Sequence, residues 1–221
     1  MRYCLWLVDC PPNELRKMKL VYERVKAVRE IRLKSPAAAT RRDADKPQVF
    51  QAIRQPDTNY MIIPLVSSER RRYIPMGFMT PDVIASNLVS VIPNADIFLF
   101  GMLESVVHMN WMRVVAGRLE NRYRYSGTLV YNNFPFEEVN ERQRAKISAT
   151  AQKILEARAK FPNASLADLY DELAMPADLR AAHRANDKAV LEVYGYDYDM
   201  DEEAMVVDLL ERYDELRRRA K

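Results

Sequence analysis

Residues 60–79 read YMIIPLVSSERRRYIPMGFM. Two apolar runs, 60–66 and 73–79, flank Ser67-Ser68-Glu69-Arg70-Arg71, with Arg72 at the edge of the second run. Short runs rich in β-branched and aromatic side chains predict strands, and the polar stretch between them predicts a hairpin loop. Downstream, the apolar runs 88–92 and 97–100 predict further strands of a small sheet. A helix is expected over 103–117 and a strand over 127–131, closed by the turn Asn132-Asn133-Phe134-Pro135.

Upstream, residues 3–8 (YCLWLV) end at Asp9 and the pair Pro11-Pro12, which predicts a buried strand with Cys4 and Cys10 as small core residues. Asn13 is the expected N-cap of a helix reaching about Lys34, with Leu15, Met18, Val21, Tyr22, Val25 and Val28 at helical spacing. The segment 35–47 is compatible with a short helix or a mobile connection. After residue 135 only helical patterns occur. Asn140 is the expected cap of a helix to about Lys160, Ser165 caps a short one, Pro176 begins another, and the last starts near Asp201. The expected fold is thus an α/β unit with a small mixed sheet over 1–135, then an all-helical unit over 136–221.

The chain has 221 residues, 48% of them apolar and 29% charged, enough for a sizeable core. No window is apolar enough for a membrane span, and the N-terminal residues lack a signal-peptide layout. Two cysteines cannot build a disulfide framework for a chain of this length, so a reducing cytoplasm is expected. Five glycines leave little room for a glycine-rich nucleotide loop. The net charge of +3 conceals an asymmetry: residues 1–135 carry 20 Lys/Arg against 12 Asp/Glu, and residues 136–221 carry 14 against 19. The basic half is the candidate for a polyanionic partner.

Catalytic constellations are poor. His108 and His183 both fall on apolar helical arcs, which makes them hydrogen-bonded core residues rather than metal ligands. Two strings approach the loop by which amino-group methyltransferases hold their target. Asp9-Cys10-Pro11-Pro12-Asn13 has the wrong spacing, and Asn133-Phe134-Pro135-Phe136 has Phe where the first proline belongs, so both are read as turns. The nucleic-acid signal is better. Arg70, Arg71 and Arg72 stand beside Ser67 and Ser68, a chemistry suited to phosphate oxygens. Arg113 lies on the polar arc of the 103–117 helix with Asn110 near its edge, while Arg118, Arg122 and Arg124 interleave with Tyr123 and Tyr125. Arginine suits bidentate phosphate or guanine contacts, and asparagine suits adenine. Arg113 is the expected base reader. The competing class is a protein-interaction module whose basic half docks on an acidic surface.

The string Ser67-Ser68-Glu69-Arg70-Arg71-Arg72-Tyr73-Ile74-Pro75-Met76-Gly77-Phe78 and the later Ile92-Pro93-Asn94-Ala95 resemble the target-recognition region of MmeI-like enzymes. Trp111-Met112-Arg113, Ala116-Gly117-Arg118-Leu119, Tyr123-Arg124-Tyr125-Ser126 and Val130-Tyr131-Asn132-Asn133-Phe134-Pro135 extend the resemblance. Leu166-Ala167-Asp168-Leu169-Tyr170-Asp171, Met175-Pro176 and Ala182-His183 resemble that family's C-terminal helical segment. Phe136 departs from the Trp common at that position. These are type IIL restriction-modification proteins and their methyltransferase relatives. The resemblance implies double-stranded DNA as partner. It also implies a longer bacterial polypeptide with a class I S-adenosylmethionine-dependent adenine methyltransferase core ahead of these residues, and often a nuclease. The cofactor would sit in that core, with none in this chain.

Overall fold

The computed structural model describes residues 3–219, which form two compact units divided between Gln55 and Pro56. The first unit is helical: α1 (Pro12–Lys17), α2 (Lys19–Leu33) and α3 (Ala38–Arg42), followed by a 3-10 turn over Asp43–Asp45. The single expected helix is broken at Met18, whose ψ of 74° leaves the helical region. Its cap is Pro11 rather than Asn13, because a proline-rich start presets the backbone without a side-chain acceptor. The segment 35–47 resolves in favour of a short helix. The Arg32 guanidinium ties down the backbone beyond that helix by donating to the carbonyls of Asp43, Lys46 and Val49. Residues 3–7 form no strand: among the described residues no edge pairs with them. Cys4 is exposed and Cys10 half-buried, so the expected core role of the cysteines is corrected.

The second unit holds two small sheets. In the first, β1 (Tyr60–Pro64) lies between two neighbours, β3 (Gly77–Met79) and β4 (Val89–Pro93), both antiparallel to it. Pairing of Tyr60 with Met79 and Ile62 with Gly77 makes the expected hairpin, though with a wide connection. After Leu65 the chain switches sheet. β2 (Val66–Ser67) pairs with β6 (Arg122–Arg124), which pairs in turn with β5 (Gly117–Leu119). The class is as expected, but the sheet is divided in two and every pairing is antiparallel.

Two expected strands are helical. Residues 97–100 belong to α4 (Ile97–Leu103), because Asp96 accepts from Leu99 N and caps it. Residues 127–131 form a wide π turn, with Ser126 accepting from Leu129 N and the Asn133 amide holding the carbonyls of Thr128 and Leu129. α5 (Val106–Val115) is capped by Ser105. The helical half follows the reading closely: α6 (Glu141–Ala159), α7 (Leu166–Leu169), α8 (Ala177–Tyr194) and α9 (Glu202–Arg219). Asn140 and Ser165 each form a reciprocal capping box. The expected boundary at 135/136 is no break in the packing. One apolar core runs from Met61 to Leu209, and α6 lies so close to α4 that a Cβ at Gly101 would stand 2.7 Å from Ile147.

Candidate nucleic-acid interface

Between β2 and β3 the chain makes a loop with a fixed stem and an exposed tip. At the tip, Ser68 Oγ accepts from Arg70 N and the Ser68 carbonyl accepts from Arg71 N. This turn leaves the Arg70 side chain 88% exposed. Ser67 is buried in β2, which removes it from the expected phosphate-binding set. Arg72 is exposed, its guanidinium 5.8 Å from the Tyr73 ring. From Tyr73 onward the loop turns inward, and Tyr73, Ile74 and Met76 are core residues.

The β5–β6 hairpin, which the sequence reading missed, carries the next arginines. Its tight turn holds Glu120 at a φ of +58°, a conformation usually left to glycine or asparagine, and this hides it from a search for turn residues. Arg122 and Arg124 share one face of β6, and Tyr123 points the other way into the core. Arg118 pairs opposite Tyr123 and stacks 3.9 Å above its ring. Arg122 is bonded to Glu120 at 2.7 Å.

The loop tip and the hairpin turn meet at an open groove of about 430 Å³. It brings together Arg70, Arg71 and Arg122, with Ser68 and Asn121 beside them. Four carboxylates, Glu69, Glu120, Asp171 and Glu172, line the same groove, the last two from the segment after α7. Arg72, Arg113, Arg118 and Arg124 are not among its lining residues. Donors and acceptors therefore share one solvent-open surface.

Asn110 and Arg113 lie elsewhere. Asn110 is 2% exposed, its amide against Met205 Sδ at 3.4 Å, so it is a core residue and not a surface one. The Arg113 side chain is 22% exposed and its two terminal nitrogens point into the chain. One donates to Asn110 Oδ1 at 2.5 Å and the other to the Arg72 carbonyl at 2.9 Å. The helical wheel placed Arg113 on a polar arc, and the structure shows that α9 borders that arc, with Glu202 3.9 Å away.

Behind the loop lies a buried polar network. Tyr73 OH donates to Asp187 Oδ2 at 2.6 Å, and Asp187 Oδ1 accepts from Val106 N at 2.8 Å. Glu104 Oε1 accepts from Met76 N at 2.9 Å and from Arg158 at 2.8 Å. Burial pushes Asp187 up to about 6, against the pull of its hydrogen bonds and of Arg72 and Arg113. Burial likewise pushes Glu104 up to about 7, with Arg158 pulling it back. His108 is buried, 3.1 Å from Tyr125 OH, and its pKa falls to about 3. His183 lies 2.7 Å from Tyr170 OH and stacks on Tyr73 with ring centroids 4.0 Å apart. Burial and then the Arg158 charge hold it well below its ordinary value. Both histidines are core residues, as their apolar arcs required. Among the described residues there is no cluster of His, Cys, Asp or Glu able to hold a metal ion, and no helix is long and apolar enough to cross a membrane.

Fold and site together define a class: a small α/β recognition unit presenting arginines on loops and a hairpin, carried on a helical support. The family described as MmeI, target recognition domain, matches residues 1–138, and that described as MmeI, C-terminal domain, matches residues 139–220. The chain belongs to the MmeI family. DNA methyltransferase A of Bacillus subtilis (strain 168) is 39% identical, over 99% of this chain and 25% of that protein. The solved structure of the type IIL restriction-modification enzyme MmeI in complex with DNA superposes with a TM-score of 0.93 at 49% identity, covering 96% of this chain and 28% of that one. The chain thus spans about a quarter of the length of the relatives it matches.

Proposed function

We propose that this chain reads the sequence of double-stranded DNA for an adenine-N6 methyltransferase, acting in the bacterial cytoplasm as part of a type II restriction-modification system. The carrying observation is the groove that joins the Arg70–Arg71 tip to the Arg122 hairpin. A purely phosphate-gripping surface would be uniformly basic. Here carboxylates stand among the arginines, and that mixture suits base edges: arginine donates to guanine O6 and N7, and a carboxylate accepts from the cytosine amino group. Arg72 and Arg124 are exposed nearby on the loop and the hairpin and supply phosphate contacts, while Arg118 turns its guanidinium to the Asn121 and Arg113 carbonyls and acts as an internal donor. The superposition on an MmeI–DNA complex supports the same reading.

Methyl transfer belongs to a core of the kind implied by the longer relatives. The target adenine must leave the stack to be reached, so it would be flipped into that core, where S-adenosylmethionine is held. This chain alone binds neither the cofactor nor the flipped base. Calorimetric titration with S-adenosylmethionine is expected to give no heat of binding; a stoichiometric micromolar site would reverse that assignment.

Fluorescence anisotropy with duplex DNA at a series of salt concentrations tests the central reading. The chain should bind without a partner protein, and log affinity should fall with log salt by about 0.9 per phosphate neutralised. Arg124→Ala should weaken binding to all sequences and flatten that slope by about one unit. Arg122→Ala should cost roughly 1–3 kcal/mol on the preferred site and relax selection at a base pair. Absence of duplex binding, or binding unchanged in both variants, overturns the reading in favour of a protein-docking module.

A further inference from the structure

Residues 72–76 lie in no strand, yet four of their backbone polar groups meet side chains from elsewhere in the unit. Arg113 donates to the Arg72 carbonyl at 2.9 Å, and Ile74 N points to Met109 Sδ at 3.4 Å. Glu104 accepts from Met76 N at 2.9 Å, and Arg158 donates to the Met76 carbonyl at 2.6 Å. The Tyr73 side chain between them is fixed by Asp187 on α8. The other end of the loop is fixed by the β2–β6 pairing of Ser67 with Tyr123. The arginine tip is therefore stretched between two anchored ends.

We infer that Arg113, Tyr73 and Asp187 are positioning residues for DNA reading: they set the backbone path of residues 72–76 and, through it, where the Arg70–Arg71 tip stands. This rests on the proposal that the tip reads DNA. Apolar packing alone would anchor a loop more cheaply than Glu104, Arg158 and Asp187, all buried. Burying charged groups is costly even when they are paired, and what they add is a single bonded geometry. That geometry matters where donors must meet base edges within a fraction of an ångström. The arrangement also assigns the helical half a part in recognition, since Arg158 and Asp187 come from α6 and α8.

The test uses the full chain and two mild variants, Tyr73→Phe and Arg113→Lys. A pool of random-sequence duplexes is selected on the parent chain, and affinities are then measured for the selected duplex and for a scrambled one. Both variants should bind the scrambled duplex with the parent's affinity and salt slope, and the selected duplex about tenfold more weakly. Hydrogen exchange at the amides of Ile74 and Met76 should quicken in both. An unchanged ratio of selected to scrambled affinity, alongside a lowered melting temperature, shows the network merely to stabilise and overturns the inference. An equal loss on the selected and the scrambled duplex in Arg113→Lys shows Arg113 to grip phosphate through its guanidinium, and overturns it too. If the parent chain enriches no sequence, the DNA reading itself fails and the inference falls with it.

Discussion

Arg113 and Asn110 show what a helical wheel can and cannot see. The wheel distinguishes apolar from polar arcs on α5, and the buried Val107, His108, Trp111 and Met112 follow it. It carries no information on which later helix will lie along the polar arc, and here that helix is α9, which supplies Met205 to Asn110 and Glu202 to Arg113. His108 was legible because an imidazole among apolar neighbours has few options beyond a hydrogen bond to a single hydroxyl. Its environment makes a measurable claim. With a folded pKa near 3 and an unfolded one near 6.5, it takes up a proton only on unfolding as pH falls between those values. Its stabilising contribution is therefore present above pH 6.5 and lost on acidification, and His183 acts in the same direction. Glu104 and Asp187, raised towards 7 and 6, oppose this, because the folded chain holds their protons more tightly in that window. The parent profile adds these four to every other shifted group, among them the lowered carboxyls of Asp168, Asp178, Glu192 and Asp208. The difference between parent and His108→Gln isolates one of them. Stability of the variant should fall less steeply from pH 6.5 to 4, by up to about 1.4 kcal/mol per pH unit. Parallel curves in a calorimetric pH series would contradict the assignment.

Elements were legible where a local stop or start signal agreed with the tertiary structure. The Asn140 capping box needs only residues 140–143, and α6 begins where they predict. Asn140→Ala should cost about 1 kcal/mol in a denaturant titration. DNA affinity should be unchanged, since Asn140 does not line the groove. Loss of affinity in a stable Asn140→Ala chain would place the start of α6 on the recognition surface. Short apolar runs were misread for the reason that makes them ambiguous: a run buried on all sides has no period to show. Residues 97–100 are helical because Asp96 caps them, and that cap was as visible as Asn140 but outweighed by the apolar run. Residues 3–8 had no partner strand among the described residues to make them one, which no local signal reports. The β5–β6 hairpin was missed because Glu120 occupies a left-handed position without advertising it.

At the scale of the whole molecule, charge and packing divide the chain differently. The basic and acidic halves meet near residue 135, and the two family matches meet between 138 and 139. Packing ignores that line. Asn186 of α8 donates to the Gly101 carbonyl at 2.7 Å, Arg158 is paired with Glu104, and Tyr194 OH donates to the Pro135 carbonyl at 3.0 Å. The second compact unit begins at Pro56, and among the described residues before it only Leu15, Val25 and Ala44 are buried apolar ones. Two fragments separate these descriptions. Residues 56–221 retain every contact just named and should melt in one cooperative transition. Residues 136–221 alone would keep four helices' worth of local signals but lose Glu104 and Met76 as partners of Arg158, the Gly101 carbonyl as partner of Asn186, and Tyr73 and Val106 as partners of Asp187, together with the surface that covers Ile147 and Ala151. An unpaired buried charge is more costly than its pair was worth, so the fragment should expose these groups instead of packing around them. Circular dichroism should then show helix without a sharp thermal transition. A cooperative melt and dispersed amide resonances from 136–221 would show the acidic half to be an independent folding unit. The network behind the recognition loop would in that case join two preformed bodies rather than one core.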